Sequence, residues 1–435
     1  MSSKDSFYPI FLPHKHCYTV LPELQDALRP KINKISTASE TYDHICEFLK
    51  EQYSNPNNYD SYRSEIVTFI NYCWALEIDV MDVDRSIMLD FINFCDSPPE
   101  HLISNSRYRA LLVDKKSGEI TLNDDWRPFC NPTPEKAYTR SEKSTQKQLS
   151  VLSSLYIFFA DIGYCSINPA AIAMRRYKNK NVLAGMSVRS KKALSRMQLL
   201  TMFQMIDEKC SSVEDKDRLK WERSRMLMHI LILAFPRRSE ISANVFYSPV
   251  MSDFYRIRQE DTFHYVFCIR KAKGGGQREV ICSKALVDAL IRYRKFLGLS
   301  DFPKPDETEP LFRRMKAPAH GREAGIVDAC IGSGQVGEIV KEVYELTAQD
   351  LEMMEEYEEA DAIRKLSVHS TRHTGISLAL ASGRKPELLM HCSGHKTLSS
   401  LMIYNSDRIE YRIGEIHLID SMLDFGVKEV KGTQI

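Results

Sequence analysis

The sequence predicts a mainly α protein with a small antiparallel sheet, divided between a helical domain and a mixed α/β domain. Three observations support this fold class. At 435 residues the chain is longer than one typical domain, so two or three domains are expected. Apolar residues recur at helical spacing through much of the chain before residue 162. Two β-rich runs flank the triple glycine Gly274–Gly276, which is typical of a hairpin turn.

The N-terminal part of the chain is predicted to be a lead-in followed by helices. Residues 1–40 carry prolines at positions 9, 13, 22 and 30 without a clear hydrophobic period, so we expect an N-terminal arm or extended lead-in. Apolar residues then share one face in each of three segments, which predicts helices at 41–49, 61–74 and 87–95.

Residues 97–137 interrupt this helical pattern. The segment contains five prolines, at positions 98, 99, 128, 132 and 134, together with Gly118, and predicts a long loop or insertion with a short hairpin at 110–122. A further helix is predicted over 139–162, because its apolar residues suit one buried face, and Gly163 ends it. Residues 41–180 are therefore interpreted as a helical domain with an insertion near 97–137.

A second domain is predicted over 187–435. Its predicted helices and strands lie at 194–206 and 224–234, and at 263–269 and 278–282. Residues 316–364 are longer than the core of such a domain needs, and they include the acidic run Glu355–Glu359. We interpret that run as a solvated helix face, with a surface for a protein partner as the alternative.

Composition is that of a soluble globular protein, with 43% hydrophobic and 27% charged residues. No apolar run reaches the roughly 18 residues of a membrane span, and no signal-peptide core follows Met1. The 11 cysteines include no C-x-x-C pair, which favours reduced thiols over disulfides or a zinc ribbon. A cytoplasmic protein without a membrane partner is expected.

The distribution of charge says more than the net charge of +1. No acidic residue lies between Asp161 and Asp207, while that stretch is rich in lysine and arginine. Such a run can bind phosphates or can be a solvated basic linker, and charge alone leaves both readings open. The candidate DNA-binding residues in it are Arg175, Arg176, Lys178, Lys180, Arg189, Lys191 and Lys192.

Three motifs near the C-terminus and one upstream carry chemistry. The segment 369–373 reads HSTRH, Gly394-His395 follows, then Tyr404, and far upstream the segment 235–240 reads FPRRSE. A tyrosine can attack a phosphodiester, arginines can hold charge on the non-bridging oxygens, and histidines can transfer protons. Taken alone, the tyrosine is usually a packing residue, each histidine is more often a hydrogen-bonded core residue, and each arginine can be a surface ion pair.

This order of residues resembles the tyrosine recombinases of the phage-integrase family. Members of that family carry an arginine in a segment of the G-L-R-x-S-E type, a lysine in a β-hairpin, then H-x-x-R, G-H and a tyrosine. The resemblance covers about residues 190–410, and Phe235-Pro236 stands where Gly-Leu is usual. It implies the catalytic residues Arg237, Lys273, His369, Arg372, His395 and Tyr404.

The resemblance also implies a role for each of these residues. Tyr404 is the nucleophile, Arg237 and Arg372 clamp the phosphate, and His369 and His395 share proton transfer. Glu240 orients an arginine or a histidine. Lys273 protonates the leaving oxygen, with Lys271 as its competitor because the triple glycine departs from the usual turn. Arg238 is an adjacent alternative to Arg237, and His373 is interpreted as structural.

At the level of the whole protein, the resemblance implies a helical core-binding domain and an α/β tyrosine-recombinase catalytic domain that form a C-shaped clamp on double-stranded DNA. The expected function is site-specific recombination or integration through a 3′-phosphotyrosyl intermediate, for example in a mobile genetic element. Neither metal, ATP nor another cofactor is expected. A homo-tetramer on DNA, associated with the nucleoid, is implied, with accessory DNA-bending or directionality proteins as further partners.

Other functions fit these motifs less well. His369 and His373, like His391 and His395, have the spacing of zinc ligands on a helix, but the glutamate of H-E-x-x-H is missing. Residues 332–337 match G-x-G-x-x-G without a surrounding βαβ series, and we interpret them as a flexible loop. A type IB topoisomerase-like DNA-relaxing enzyme and a catalytically inactive DNA-binding relative remain the alternatives.

Overall fold

The computed structural model confirms a mainly α fold with small sheets. It describes residues 7–114, 116–175, 193–212, 215–244, 247–270, 276–317 and 325–402. The chain divides into two compact units, Met1–Ser187 and Val188–Ile435, each with its own hydrophobic core. Within the described ranges, no helix is both long and apolar enough to span a bilayer.

The first unit is built from helices, with two pairs of very short strands. In chain order its elements are α1 (Pro22–Ile32), α2 (Ala38–Glu51), α3 (Pro56–Ala75), α4 (Arg85–Asp96), β1 (Ile103–Ser104), β2 (Leu111–Val113), β3 (Ile120–Leu122), β4 (Phe129–Cys130), α5 (Glu142–Asp161) and α6, described over 169–175. The four helices predicted from hydrophobic spacing are confirmed as α2 to α5. So is the hairpin at 110–122, where β2 pairs antiparallel with β3.

Side-chain caps set where the helices of this unit begin. Asn55, Asp84 and Ser141 each accept a hydrogen bond from the backbone N–H three residues later, at the starts of α3, α4 and α5. Such caps satisfy backbone donors that the first helical turn leaves without partners. The local sequence therefore determines where these three helices begin.

The segment predicted as an arm or lead-in is described from Phe7 and packs into the core of this unit. Phe7, Ile10 and Phe11 are buried. The buried amide of Asn71 on α3 fixes the segment: its Nδ2 donates to the Tyr8 carbonyl at 2.7 Å, and its Oδ1 accepts from the Tyr8 N–H at 2.9 Å. This pairing depends on a contact between residues distant in sequence, so the hydrophobic period could not predict it.

The second unit combines helices with a three-stranded antiparallel sheet of order β5-β6-β7. Its elements are α7 (Arg196–Ser212), α8 (Asp215–Leu233), β5 (Phe254–Gln259), β6 (Thr262–Ile269), β7 (Arg278–Ile281), α9 (Lys284–Phe296), α10 (Ser333–Met353), α11 (Tyr357–Arg364), α12 (Val368–Ala381), α13 (Pro386–Ser393) and α14 (Leu398–Met402). The predicted helices at 194–206 and 224–234 and both predicted strands are confirmed. Helix α8 contacts α7, α9, α10 and α12, and is buried over Met226–Met228 and Ile230–Ile232.

Two predictions for residues 316–364 need revision. The glycine-rich segment 332–337 is not a flexible loop: Ser333–Gly337 forms the first turn of α10, and burial of Val336, Ile339 and Val340 holds it there. The acidic run is partly a turn, because Glu355 and Glu356 precede α11. The run is exposed through Glu358, whereas the Glu359 carboxylate accepts a hydrogen bond of 2.7 Å from the Ser195 hydroxyl before α7.

Candidate active site

Four segments of the second unit meet at one cluster of charged side chains. They are the turn after α8 with the 3-10 helix Arg238–Glu240, the start of β7, helix α12 and the C-terminal end of α13. Each segment contributes one side chain or carbonyl that hydrogen-bonds to another segment. These residues are far apart in the sequence, so only the tertiary fold brings them together.

Glu240 lies at the centre of the cluster, with its side chain 1% exposed. Its Oε1 accepts hydrogen bonds from Arg237 Nη1 and Arg278 Nη1, both at 2.9 Å. Its Oε2 accepts from the Arg237 backbone N–H and from Arg278 Nη2, both at 2.6 Å. Burial alone would raise the pKa of Glu240, but the hydrogen bonds and charges of Arg278 and Arg237 lower this pKa to about 2. The carboxylate is therefore ionised and fully paired.

Arg278 is a residue of the cluster that the sequence analysis did not identify. Besides its two-point contact with Glu240, its Nε donates to the Cys392 carbonyl at 2.9 Å. Gly394 ends α13 in the left-handed conformation, with φ of 69°, and a Cβ there would lie 3.3 Å from the Arg278 side chain. The only sequence signal was an arginine at the first position of a predicted strand, where a solvated side chain was equally plausible.

Arg237 is the arginine of the cluster that reaches solvent. Its side chain is 26% exposed, and its Nη2 donates to the Gly394 carbonyl at 3.2 Å. Glu240 holds one edge of its guanidinium, which fixes the orientation of the planar group. An oriented and partly exposed guanidinium can bind two oxygens of a phosphate at once.

Arg372 is the fully buried arginine of the cluster, only 1% exposed. Its Nη1 donates to the Phe235 carbonyl and its Nη2 to the Ser393 carbonyl. Arg372 thus joins the turn after α8 to the end of α13, and its charge lies below the exposed face of the site. In this structure Arg372 acts on that face through its charge and through the two carbonyls that it holds.

Two backbone features make the position of Arg372 possible. At Gly375, one turn later on α12, an added Cβ would lie 1.8 Å from the Ile232 carbonyl oxygen, so α12 and α8 touch backbone to backbone. Phe235 has a left-handed φ of 55°, a conformation that favours glycine. Its buried side chain packs with Ile376, Leu389 and Leu401, and this burial stabilises the unusual conformation.

His395 follows Gly394 and is held by Ser393. Its Nδ1 lies 2.7 Å from the Ser393 hydroxyl, which also donates to the Met390 carbonyl at 3.3 Å. This arrangement favours a proton on Nδ1 and leaves Nε2 as an acceptor. Burial, followed by the charges of Arg372, Arg237, Arg278 and His369, lowers the pKa of His395 to about 4. The imidazole is therefore neutral at neutral pH.

The other histidines of the C-terminal motifs lie on α12 and α13. His369 is exposed on α12, and its ring is perpendicular to that of His373, with the centroids 4.8 Å apart. Helix α13 ends at Ser393, and Gly394 is left-handed, so His391 and His395 do not share a continuous helix. Within the described ranges, no group of three His, Cys, Asp or Glu residues has metal-binding geometry.

Several predicted site residues lie outside the described residues: Lys271, Lys273, Tyr404, Arg176, Lys178, Lys180, Arg189, Lys191 and Lys192. Arg175 is described, at the last described position of α6, and is exposed. The chain on either side of Lys271 and Lys273 is fixed, because Ile269 and Arg278 face each other across β6 and β7. Leu401, which precedes Tyr404 by three positions, is buried against Phe235, Ile376 and Leu389.

The cluster combines three guanidinium groups with one carboxylate and a neutral histidine. Arg237, Arg278 and Arg372 exceed the charge of Glu240 by two positive charges. Such a site attracts an anion, and Arg237 offers donors to it at the surface. The neutral His395 can accept or return a proton beside that anion without adding to the positive charge. This chemistry suits a reaction at a phosphodiester.

Comparison with solved structures identifies the fold. The chain is similar to the XerH site-specific recombinase, solved bound to its palindromic difH substrate as a post-cleavage complex. The TM-score is 0.51 and the identity 13%, over 95% of this chain and 95% of that one. The protein therefore has the fold of this recombinase. No protein-family model and no curated protein matches the sequence.

Two further solved structures give lower scores. A lambda integrase dimer bound to a COC′ core site has a TM-score of 0.45 and 14% identity, over 85% of this chain and 77% of that chain. The Tn1549 transposon integrase, in complex with a circular intermediate DNA, has a TM-score of 0.48 and 10% identity, over 87% of this chain and 98% of that chain.

Proposed function

We propose that this protein is a site-specific DNA recombinase or integrase of the tyrosine type, which cleaves and rejoins DNA strands through a 3′-phosphotyrosyl intermediate. The observation that carries the proposal is the cluster of Arg237, Arg278 and Arg372 around the single carboxylate of Glu240, with neutral His395 beside it. The recombinase fold supports it independently. Fold alone does not determine activity, so the chemistry of the cluster is the stronger argument.

In the proposed reaction the Tyr404 oxygen attacks the scissile phosphorus. The P–O bond to the 5′-oxygen breaks, which leaves a 3′-phosphotyrosyl link and a free 5′-hydroxyl. The phenolic proton leaves to a histidine, His395 or His369, and Lys273 or its competitor Lys271 protonates the 5′-oxygen. Arg237, supported by the charge of Arg372, stabilises the negative charge on the non-bridging oxygens. The covalent link conserves the bond energy, so rejoining by the reverse steps needs neither ATP nor a metal.

The proposed partner is double-stranded DNA, bound by four copies of the chain on two sites. The basic residues between 175 and 192 would contact backbone phosphates, because no acidic residue lies near them in sequence. Proteins that bend DNA or set the direction of recombination are proposed accessory partners. The protein would work in the cytoplasm, at the nucleoid when bound to DNA.

Capture of the covalent intermediate tests this function. Wild-type protein is expressed in cells, the lysate is denatured, and DNA that remains linked to the protein is recovered and sequenced. We expect adducts that share one DNA site, and none from Tyr404→Phe. Tyr411→Phe is the matched control, because it removes the next tyrosine of the chain and should leave adducts intact. Absence of adducts from the wild type would refute the proposed function, and adducts from Tyr404→Phe would refute the nucleophile.

A further inference from the structure

A basic cleft lies in the second unit, beside the arginine cluster. It has a volume of about 510 Å³, formed by the 3-10 helix after α8, one face of α10, the end of α11 and the start of α12. Its lining includes Arg238, Lys341, Tyr344, Arg364 and His369, and no carboxylate is among the residues that line it. The proposed reaction uses His369 and leaves the other four without a role.

The positive charge of this cleft comes from one arginine and one lysine without acidic partners in the described ranges. Arg238 and Lys341 are exposed, and neither forms an ion pair with any residue in the described ranges. Arg364 differs, because its guanidinium binds both Glu345 and Glu352. Arg238 also lies against α10, where an added Cβ at Gly337 would be 3.4 Å from its Nη1. Arg238 and Lys341 thus line the cleft as two positive charges without ion-pair partners in the described ranges.

The floor of the cleft supplies a second and independent observation. Tyr344 is 2% exposed, and its buried hydroxyl has no hydrogen-bond partner among the described residues. Buried polar groups nearly always have a partner, so an orphaned hydroxyl in a cleft wall marks a place that a ligand or water completes. Burial also raises the pKa of Tyr344, so the hydroxyl stays protonated and can donate to an anion.

We propose that this cleft is a second phosphate subsite, which binds the DNA backbone phosphate next to the one that is cleaved. The inference rests on the proposed function. Arg237 and Arg238 are consecutive, yet Arg237 contacts Glu240 and Gly394 whereas Arg238 lines the cleft, so adjacent arginines serve two sites. His369 belongs to both, because it lines the cleft and its charge contributes to the lowered pKa of His395. Two neighbouring phosphates on one strand would hold the scissile bond in register with the cluster.

The salt dependence of DNA binding tests the subsite. Affinity of the full chain for a labelled mixed-sequence duplex, and for the site DNA recovered from adducts, is measured over a range of salt concentrations. Loss of one phosphate contact lowers the slope of log affinity against log salt by about 0.9. We expect that decrease when Arg238→Ala and Lys341→Ala are combined, and recovery of the wild-type slope when Arg238→Lys and Lys341→Arg are combined. An unchanged slope in the double alanine variant would overturn the proposal.

Two further variants sharpen this test. Lys365→Ala is the matched control, because Lys365 is exposed next to Arg364 but does not line the cleft, so the slope should not change. Tyr344→Phe removes a neutral donor, and we expect affinity to fall about two- to tenfold, the equivalent of one hydrogen bond, without a change of slope. Unchanged affinity in Tyr344→Phe would remove the hydroxyl from the subsite.

Inorganic phosphate distinguishes a DNA subsite from a site for a free anion. If inorganic phosphate raises the melting temperature of the wild type but not of the double alanine variant, while their DNA slopes agree, the cleft binds a free anion and the DNA assignment is wrong. The proposed function fails separately, through the absence of wild-type adducts. Adducts from the wild type together with equal slopes would therefore refute only the subsite.

Discussion

At the scale of single residues, the site depends on one buried carboxylate. Glu240 holds Arg237 and Arg278 together, and both of its oxygens are engaged. A buried ion pair of this kind is weak evidence for stability, because desolvation offsets much of the attraction. Its value is geometric, since it fixes the plane of the arginine that faces solvent. Removing Arg278 leaves the buried carboxylate with Arg237 as its remaining guanidinium partner.

Arg278→Ala tests this dependence. The change leaves Glu240 paired with Arg237 but removes the charge-assisted hydrogen bonds of Arg278, so we expect the free energy of unfolding to fall by about 1.5–3 kcal/mol. Arg278→Lys should recover only part of that loss, because lysine cannot form the two-point contact. Urea unfolding measures both. Lys284→Ala is the control, because it breaks an exposed pair with Asp288 and should change little. Equal losses in Arg278→Ala and Lys284→Ala would contradict the central role of the buried pair.

Arg237→Ala tests the phosphate clamp. The variant should form the covalent adduct roughly 10²–10³ times more slowly, since it removes the surface donor that is proposed to stabilise the developing charge. Single-turnover cleavage of the recovered site DNA, at saturating protein, measures the rate. Arg258→Ala provides a control at the exposed end of β5, where Arg258 pairs with Asp261. A rate for Arg237→Ala within a few-fold of the wild type would remove Arg237 from the site.

The lowered pKa of His395 predicts a specific pH dependence. Between the ordinary histidine pKa of about 6.5 and the folded value of about 4, the unfolded chain binds a proton that the folded chain does not. The stability of the protein should therefore decrease as pH falls through this window, and less so in His395→Gln. Glu240 contributes in a lower window, because its stabilisation is lost only as pH falls from about 4.3 towards 2. An NMR titration midpoint of His395 near 6.5 would contradict the prediction.

At the scale of secondary-structure elements, the contact between α12 and α8 decides whether the site assembles. Gly375 lets the two backbones touch at Ile232, and Arg372 lies one turn away on α12. The same α8 ends at the turn of Phe235, whose carbonyl Arg372 binds. The helix carrying H-x-x-R and the turn carrying Arg237 are thus positioned by one close approach.

Gly375→Ala should separate these helices. A Cβ at 1.8 Å from a carbonyl oxygen cannot be accommodated without movement of the backbone, so we expect a destabilisation of at least about 1–3 kcal/mol and slower adduct formation. Gly334→Ala is the matched control in α10, because nothing lies within 4 Å of its added Cβ. That control should be neutral or stabilising by up to about 1 kcal/mol. Equal melting temperatures for Gly375→Ala and Gly334→Ala would contradict the close approach of the two helices.

Prediction of elements from the sequence succeeded where the signal was local. Helices α2 to α5 each have an apolar face, α3 to α5 also begin at side-chain caps, and the hairpin β6–β7 has β-rich strands around glycines. Strand β5 was not predicted, because only its first residue is buried and its outer residues are exposed. The start of α10 was misread, because a glycine-rich segment has weak helical propensity and is helical through the burial of Val336, Ile339 and Val340.

At the scale of the whole molecule, the proposed tetramer can be tested with truncations. We propose that the segment 413–425, which lies outside the described residues, contacts a neighbouring copy in the tetramer, so a chain that ends at Arg412 should bind DNA but fail to assemble. A chain that ends at Phe425 is the control and should assemble. Analytical ultracentrifugation on site DNA measures the stoichiometry. Tetramers formed by the shorter chain would contradict the role of this segment.

The sequence by itself determined the fold class of the protein and indicated most of the candidate catalytic residues. Hydrophobic spacing and caps act between near neighbours, so they predict helices and strands locally. The motifs around Arg237, Arg372, His395 and Tyr404 pointed to phosphodiester chemistry through residue type and order. None of this depends on which segments meet in space.

Only the tertiary structure decided how the site is held together. The pairing of Arg278 with Glu240, the burial of Arg372 beneath two carbonyls, and the neutral state of His395 all arise from contacts across more than 20 positions of the chain. The basic cleft also depends on the tertiary fold, since Arg238, Lys341 and Tyr344 meet only when α10 packs beside the turn after α8. Burial and charge at a site are sums over neighbours in space, and a linear sequence does not record those neighbours.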